Sequence, residues 1–128
     1  MAEQHEAAGH QQPIEVQHPS PSLAVVALAG EVDAQRAPDL QVSLQEAIAR
    51  LRGQGGLVVD LSGVDYMDSS GVATLVRALQ LTRKKGLKLV LCGLQDRVRS
   101  IVEIARLDSV FCIVPDRAQA LEKIEARR

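Results

Sequence analysis

Residues 13–128 predict one α/β domain with a mostly parallel sheet of four to five strands and four main helices. Three observations carry this. Short apolar runs of strand length (Leu23–Leu28, Leu57–Leu61, Leu87–Cys92, Phe111–Val114) recur along the chain. Between them lie longer segments whose apolar residues return every three or four positions, and strands that alternate with helices call for a parallel sheet with right-handed crossovers. The length of 128 residues, 46% of them apolar, suits one hydrophobic core, since domains commonly run to about 100–150 residues.

Each element has a local reason. The first dozen residues are mostly Ala, Gln, Glu, His and Gly; they offer no periodic apolar face and are expected to form a disordered arm, residues 1–12. Ile14-Glu15-Val16 alternates and reads as a short edge strand, broken by a turn or loop at His18-Pro19-Ser20-Pro21-Ser22. Leu23–Leu28 reads as a buried strand closed by Gly30. Between Asp33 and Gly53 the pattern turns helical: Pro38 suits a first turn, and Leu40, Leu44, Ala47, Ile48 and Leu51 follow at spacings of three and four. Gly53, Gly55 and Gly56 end that helix.

Leu57–Leu61 is the next strand, followed by an expected loop over Ser62–Met67 and a helix opening at Asp68-Ser69-Ser70-Gly71. Val72, Leu75, Val76 and Leu79 mark its inner face. Arg83-Lys84-Lys85 sits in its last turn, where cations favour the helix dipole, and Gly86 is the expected left-handed stop. Leu87–Cys92 is a strand, Asp96–Ala105 a helix with Val98, Ile101, Val102 and Ala105 inward, and Phe111–Val114 a strand. Asp116 then caps a last helix, with Gln119 three positions on to complete a capping box.

Composition excludes several chemistries. His5, His10 and His18 all lie in the first 18 residues, so the body lacks imidazole for a Ser-His-Asp triad, a Cys-His pair or a His-rich metal site. Tyr66 and Phe111 are the only aromatics and the net charge is −1, against a base-stacking or phosphate-binding nucleic-acid surface. Cys92 and Cys112 form no CxxC pair and read as small buried apolar residues. Leu23–Ala29, the longest apolar run, is too short to cross a bilayer, and the polar start directs no export. A cytoplasmic chain without membrane insertion is expected.

In parallel sheets, function gathers at loops leaving the carboxyl ends of strands. Two such loops are polar: Gly30-Glu31-Val32-Asp33 and Asp65–Gly71. Asp68 is placed to cap the following helix, taking amide protons just past Ser69. A hydroxyl in that first turn lies at the positive end of the helix, where a phosphate group is electrostatically welcome. From spacing alone the segment is either simply a good helix start or a phosphoacceptor.

Gly30-Glu31-Val32-Asp33, followed by Val64-Asp65-Tyr66-Met67-Asp68-Ser69-Ser70-Gly71-Val72, resembles the STAS domain family, and within it the bacterial anti-sigma factor antagonists. The resemblance runs from about Leu23 to Ile124, and the (F/Y)-M-D-S-S-G signature is its specific part. It implies a STAS-like fold and a switch rather than an enzyme. The first serine of D-S-S-G, here Ser69, would be phosphorylated by a partner that is both serine kinase and anti-sigma factor, with Ser70 as second candidate. Asp33, Asp68, Ser69, Ser70 and Gly71 would form the partner-binding surface. A serine phosphatase would reset the state; no cofactor or metal of the chain's own is implied. At Arg106, in Ala105-Arg106-Leu107-Asp108, the family often has glycine, and the arm extends beyond the usual start.

Other readings fit parts of the sequence. A nonphosphorylated STAS module in a transport or stress-signalling assembly would share fold and surface, but the intact Ser69-Ser70 pair argues against it. Asp60, Asp65 and Asp68 suggest a receiver-like phosphoaspartate site with magnesium, yet the first buried strand ends Leu28-Ala29-Gly30-Glu31 without the acids that chemistry needs. Asp60 reads instead as hydrogen-bonded or loop-capping. Gly53-Gln54-Gly55-Gly56 precedes a strand and opens no helix, so it is a connector, not a phosphate loop. Arg83-Lys84-Lys85 with Lys88 reads as a solvated helix end rather than a contact for an acidic partner or anionic lipid. Tyr66 and Met67 are expected to pack beneath the acceptor loop, or Tyr66 to lie partly on the partner surface.

Overall fold

In the computed structural model, which describes residues 12–126, the predicted alternation folds as β1 (Glu15–Ser20), β2 (Leu23–Val32), α1 (Ala37–Ala49), β3 (Gly56–Met67), α2 (Ser69–Lys84), β4 (Lys88–Cys92), α3 (Asp96–Ile104), β5 (Cys112–Val114) and α4 (Arg117–Glu125). The disordered arm expected over residues 1–12 lies, apart from Gln12, outside the described residues.

The five strands stand in the order β1-β2-β3-β4-β5. β1 pairs antiparallel with β2, and every other pair is parallel. Because the order never reverses, right-handed crossovers put α1, α2 and α3 on one face. There Ala24, Val26 and Leu28 of β2, Leu57, Val59 and Leu61 of β3, and Leu89 and Leu91 of β4 join the helices in the main core. The alternate residues Val25, Val58, Val90, Cys92 and Val114 point the other way and pack with Ala120 and Ile124 of α4. A sheet with no reversal has no switch-point crevice at the carboxyl ends of its strands.

Several boundaries differ from expectation. β1 runs through His18-Pro19-Ser20, predicted as loop, with a register shift between Gln17 and Ser20. An edge strand tolerates proline because one side of it needs no ladder bond. β2 continues past Gly30 to Val32, and β3 continues through the predicted loop to Met67. Ala105 is exposed and Cys112 half-buried rather than inward. The forward half of the last helix's capping box is made, Asp116 Oδ1 accepting from the Gln119 amide at 2.9 Å.

Helices α2 and α3 end in the same motif. After α2, the amides of Gly86 and Leu87 donate to the carbonyls of Arg83 and Thr82. After α3, those of Arg106 and Leu107 donate to Glu103 and Val102. Both turns need a left-handed residue: Gly86 has φ +72° and Arg106 has φ +61°. Arginine has a Cβ that this conformation disfavours by about 1–2 kcal/mol, partly offset in any glycine variant by the freer unfolded chain. Arg106→Gly is therefore expected to stabilise the domain by about 0.5–1 kcal/mol, raising Tm by a few degrees in a thermal melt.

Candidate functional site

The site forms where β2 and β3 end side by side. Val32 pairs with Met67, and the Asp68 amide donates to the Val32 carbonyl at 3.1 Å. The polypeptide then turns into α2 under an Asp68 cap: Asp68 Oδ1 accepts from the amides of Ser70 at 2.9 Å and Gly71 at 3.4 Å. The buried Thr74 hydroxyl donates to the Ser70 carbonyl at 3.0 Å, tying the first turn to the second. Ser69, the first helical residue, is exposed, and Ser70 is half-buried.

Gly71 is buried rather than displayed. A Cβ there would lie 2.6 Å from Met67 Cγ, 2.9 Å from Val32 Cγ1 and 3.1 Å from the Val32 carbonyl oxygen. Its bare backbone lets α2 start directly against β2. Met67 packs beneath the loop as expected, but Tyr66 stays 42% exposed. The two fall on opposite sides of β3, so one is inside and the other faces solvent.

Asp33 is half-buried after β2 and caps the turn into α1, its Oδ1 accepting from the amides of Gln35 at 3.1 Å and Arg36 at 3.0 Å. The two predicted acids thus both accept backbone amides on adjacent strand ends, Asp68 as the N-cap of α2 and Asp33 in the turn that precedes α1. Arg36, missed by sequence reading, is 5% exposed. Its guanidinium donates to the carbonyls of Ala29 at 2.9 Å and Glu31 at 3.2 Å, and to that of Gln12. It pins the end of β2 and the start of the described chain to α1. Glu31 and Asp65 are exposed nearby, while the guanidinium of Arg36 at the same strand end is buried. The exposed rim of these two strand ends is acidic.

A family model for the STAS domain matches residues 13–120. The chain belongs to the STAS domain family. It is 37% identical over 86 residues to the anti-sigma-B factor antagonist of Listeria monocytogenes, covering 66% of this chain and 72% of that protein. It is 34% identical over 89 residues to the anti-sigma-B factor antagonist of Bacillus subtilis, covering 69% and 78%. Among solved structures, the anti-sigma factor antagonist SpoIIAA in its unphosphorylated form shares the fold with a TM-score of 0.71 at 13% identity, over 90% of this chain and all of that one. SpoIIAA has also been solved in a phosphorylated form, to which the TM-score is 0.66 at 16% identity, over 88% of this chain and all of that one.

Elsewhere in the STAS domain, polar and ionisable residues serve the fold. Asp60 accepts from Arg117 Nη2 at 2.9 Å and Nε at 3.1 Å, and from the Ser62 amide at 3.0 Å. Burial alone would raise its pKa; the hydrogen bonds from Ser62 and the Arg117 guanidinium outweigh that and hold it below the ordinary value. Such a group stabilises the fold above the unfolded pKa, and this contribution is lost as pH falls through the folded value. Asp60→Asn is expected to cost about 1–2 kcal/mol at pH 7. In urea melts at descending pH, the gap to wild type should close below pH 3.8.

Cys92, opposite Asp60 on β4, has its thiol pushed up to about 11, by burial first and then by the Asp60 carboxylate; it is inert packing. Lys88 departs from the expected solvated cluster: its ammonium donates to the carbonyls of Lys123 at 3.1 Å and Ile124 at 3.4 Å, and to that of Ala126, closing the end of α4. No helix among the described residues is long and apolar enough to cross a membrane.

Proposed function

We propose that this STAS domain is an anti-sigma factor antagonist, docking on an anti-sigma factor while Ser69 is unmodified and leaving it when Ser69 carries a phosphate. The observation that supports this most is the exposure of Ser69 at the first position of α2, with the amides around it committed to Asp68 rather than to the hydroxyl. The partner is both anti-sigma factor and serine kinase, a serine phosphatase restores the hydroxyl, and the exchange takes place in the cytoplasm. Asp33, Asp68, Ser70 and Gly71 shape the docking surface by fixing the two strand ends and the first turn of α2.

The chain supplies only the hydroxyl. A kinase brings a catalytic carboxylate to take the hydroxyl proton and places nucleotide phosphates in line with the attacking oxygen. The groups facing Ser69 in such a complex are therefore anionic, whereas cations of the partner suit the rim of Glu31, Asp33, Asp65 and Asp68. Phosphorylation adds roughly −1.5 to −2 charges at the anionic centre. Incubation with the cognate kinase and ATP, followed by site-resolved phosphopeptide mapping, tests the reading. Phosphate on Ser69 is expected; an unmodified chain, or phosphate confined to Ser70, overturns it.

A further inference from the structure

Resting on that reading, we infer that the anti-sigma factor grips the end of the β2–β3 ribbon from both sides, and that Glu31 and Tyr66, on the face opposite α1 and α2, receive an arginine of the partner. The core fixes which way these residues point. In β2, Ala24, Val26, Leu28 and Val32 enter the main core, whereas Val25 packs with α4. Alternation puts Ala27, Ala29 and Glu31 on the α4 side with Val25. In β3, Val64 and Met67 enter the main core, Gly63 pairs with Ala29, and Tyr66 pairs with Glu31. Paired residues face the same way on strands about 4.8 Å apart, so Tyr66 and Glu31 stand side by side.

No helix covers this part of the sheet. The ladders of β4 and β5 end level with Asp60, at Cys92 and Val114. The apolar cluster under α4 holds no residue of β2 beyond Val25 and none of β3 beyond Val58. Arg117, the first residue of α4, is committed to Asp60 at 2.9 Å. Past that pair, Ala29 and Gly63 floor an open face, so close together that a Cβ on Gly63 would lie 2.8 Å from Ala29 Cβ. Glu31, Asp65 and Tyr66 are exposed around it, and among the described residues neither carboxylate makes an ion pair.

Charge complementarity selects the occupant. An anionic segment is repelled, and an apolar one would desolvate both carboxylates without pairing them. A guanidinium meets the carboxylates with forked hydrogen bonds and lays its plane on the tyrosine ring. The protein that brings it is the one that closes on Ser69, because Met67 and Asp68 alone separate Tyr66 from the acceptor. Anything that encloses the start of α2 overlaps the ribbon's end.

Titration calorimetry with the purified anti-sigma factor tests this on Glu31→Lys, Tyr66→Ala, Tyr66→Phe and Ser69→Asp, each checked by thermal melt. A further variant, Glu103→Lys, makes the same charge change on an exposed residue in the last turn of α3. Glu31→Lys and Tyr66→Ala are expected to weaken docking tenfold or more with Tm within a few degrees of wild type. Tyr66→Phe keeps the ring and should bind within about threefold of wild type, and Glu103→Lys should bind like wild type. Wild-type affinity in Glu31→Lys or Tyr66→Ala, while Ser69→Asp still weakens binding, overturns the two-sided grip and leaves the Ser69 reading standing. A loss in Glu103→Lys equal to that in Glu31→Lys would reduce the effect to net charge and overturn it too. Undiminished binding by Ser69→Asp overturns the underlying reading and this proposal with it. Self-association of the chain that Tyr66→Ala abolishes, with partner binding unchanged, would assign the face to a second copy and overturn the proposal.

Discussion

Ser69→Asp is expected to weaken docking on the anti-sigma factor on the order of a hundredfold, while Ser69→Ala binds like the unmodified protein and stays bound in the presence of ATP. One added charge facing a partner anion about 5 Å away, at an effective dielectric near 20, costs about 3 kcal/mol. Each 1.4 kcal/mol is about a tenfold change in affinity. The effect on the fold is far smaller. A negative charge in the first turn of α2 gains about 0.3–1 kcal/mol from the helix dipole, and its neighbour Asp68 opposes part of that. The interface therefore responds while the domain stays folded. A separation of 5 Å lies inside the Debye length of about 10 Å at 0.1 M salt, so the loss should persist at that ionic strength. Calorimetric titration of the three proteins, paired with thermal melts, checks both halves. Equal affinity for all three would remove the electrostatic switch, and a collapse of Tm in Ser69→Asp would replace it with unfolding.

The start of α2 was readable from the sequence because its determinants are local. The Asp68 cap reaches two and three residues ahead, and the inner face from Val72 to Leu79 repeats at helical spacing. The strand ends beside it were not readable. Over Ser62–Met67 only Val64 and Met67 are buried, a spacing of three where a strand should alternate. The cause lies in the pairing with β2: the partners step from Ala27↔Asp60 to Ala29↔Gly63, and from Gly30↔Val64 to Glu31↔Tyr66. β3 thus carries an extra residue at two bulges, each of which shifts the alternation. Arg36 was hidden for a related reason, since the groups it binds are main-chain carbonyls with no side-chain signature. Arg117 lies 57 residues from Asp60, and only the folded sheet brings them together.

Gly71 links the fold to the switch, and Gly71→Ala is expected to destabilise the domain by about 2 kcal/mol. The added methyl would sit 2.6 Å from Met67 Cγ and 2.9 Å from Val32 Cγ1, well inside contact distance. Overpacking of this kind costs about 1–3 kcal/mol, and the better helix propensity of alanine, up to about 1 kcal/mol, recovers only a part. Methionine can rotate away, but Val32 is β-branched, fully buried and held by its pairing with Met67. Relief must therefore come from α2 moving off the end of β2, which carries Ser69 with it. Val32→Ala removes the stiffer obstacle. Alone it opens a small void; combined with Gly71→Ala, the new methyl enters that void. The two changes should be non-additive, with the double variant at least 0.5 kcal/mol more stable than the sum of the single losses predicts. Urea melts of the four proteins measure that coupling. Additive losses would mean that Val32 is not what the methyl meets, and that α2 is seated by some other contact.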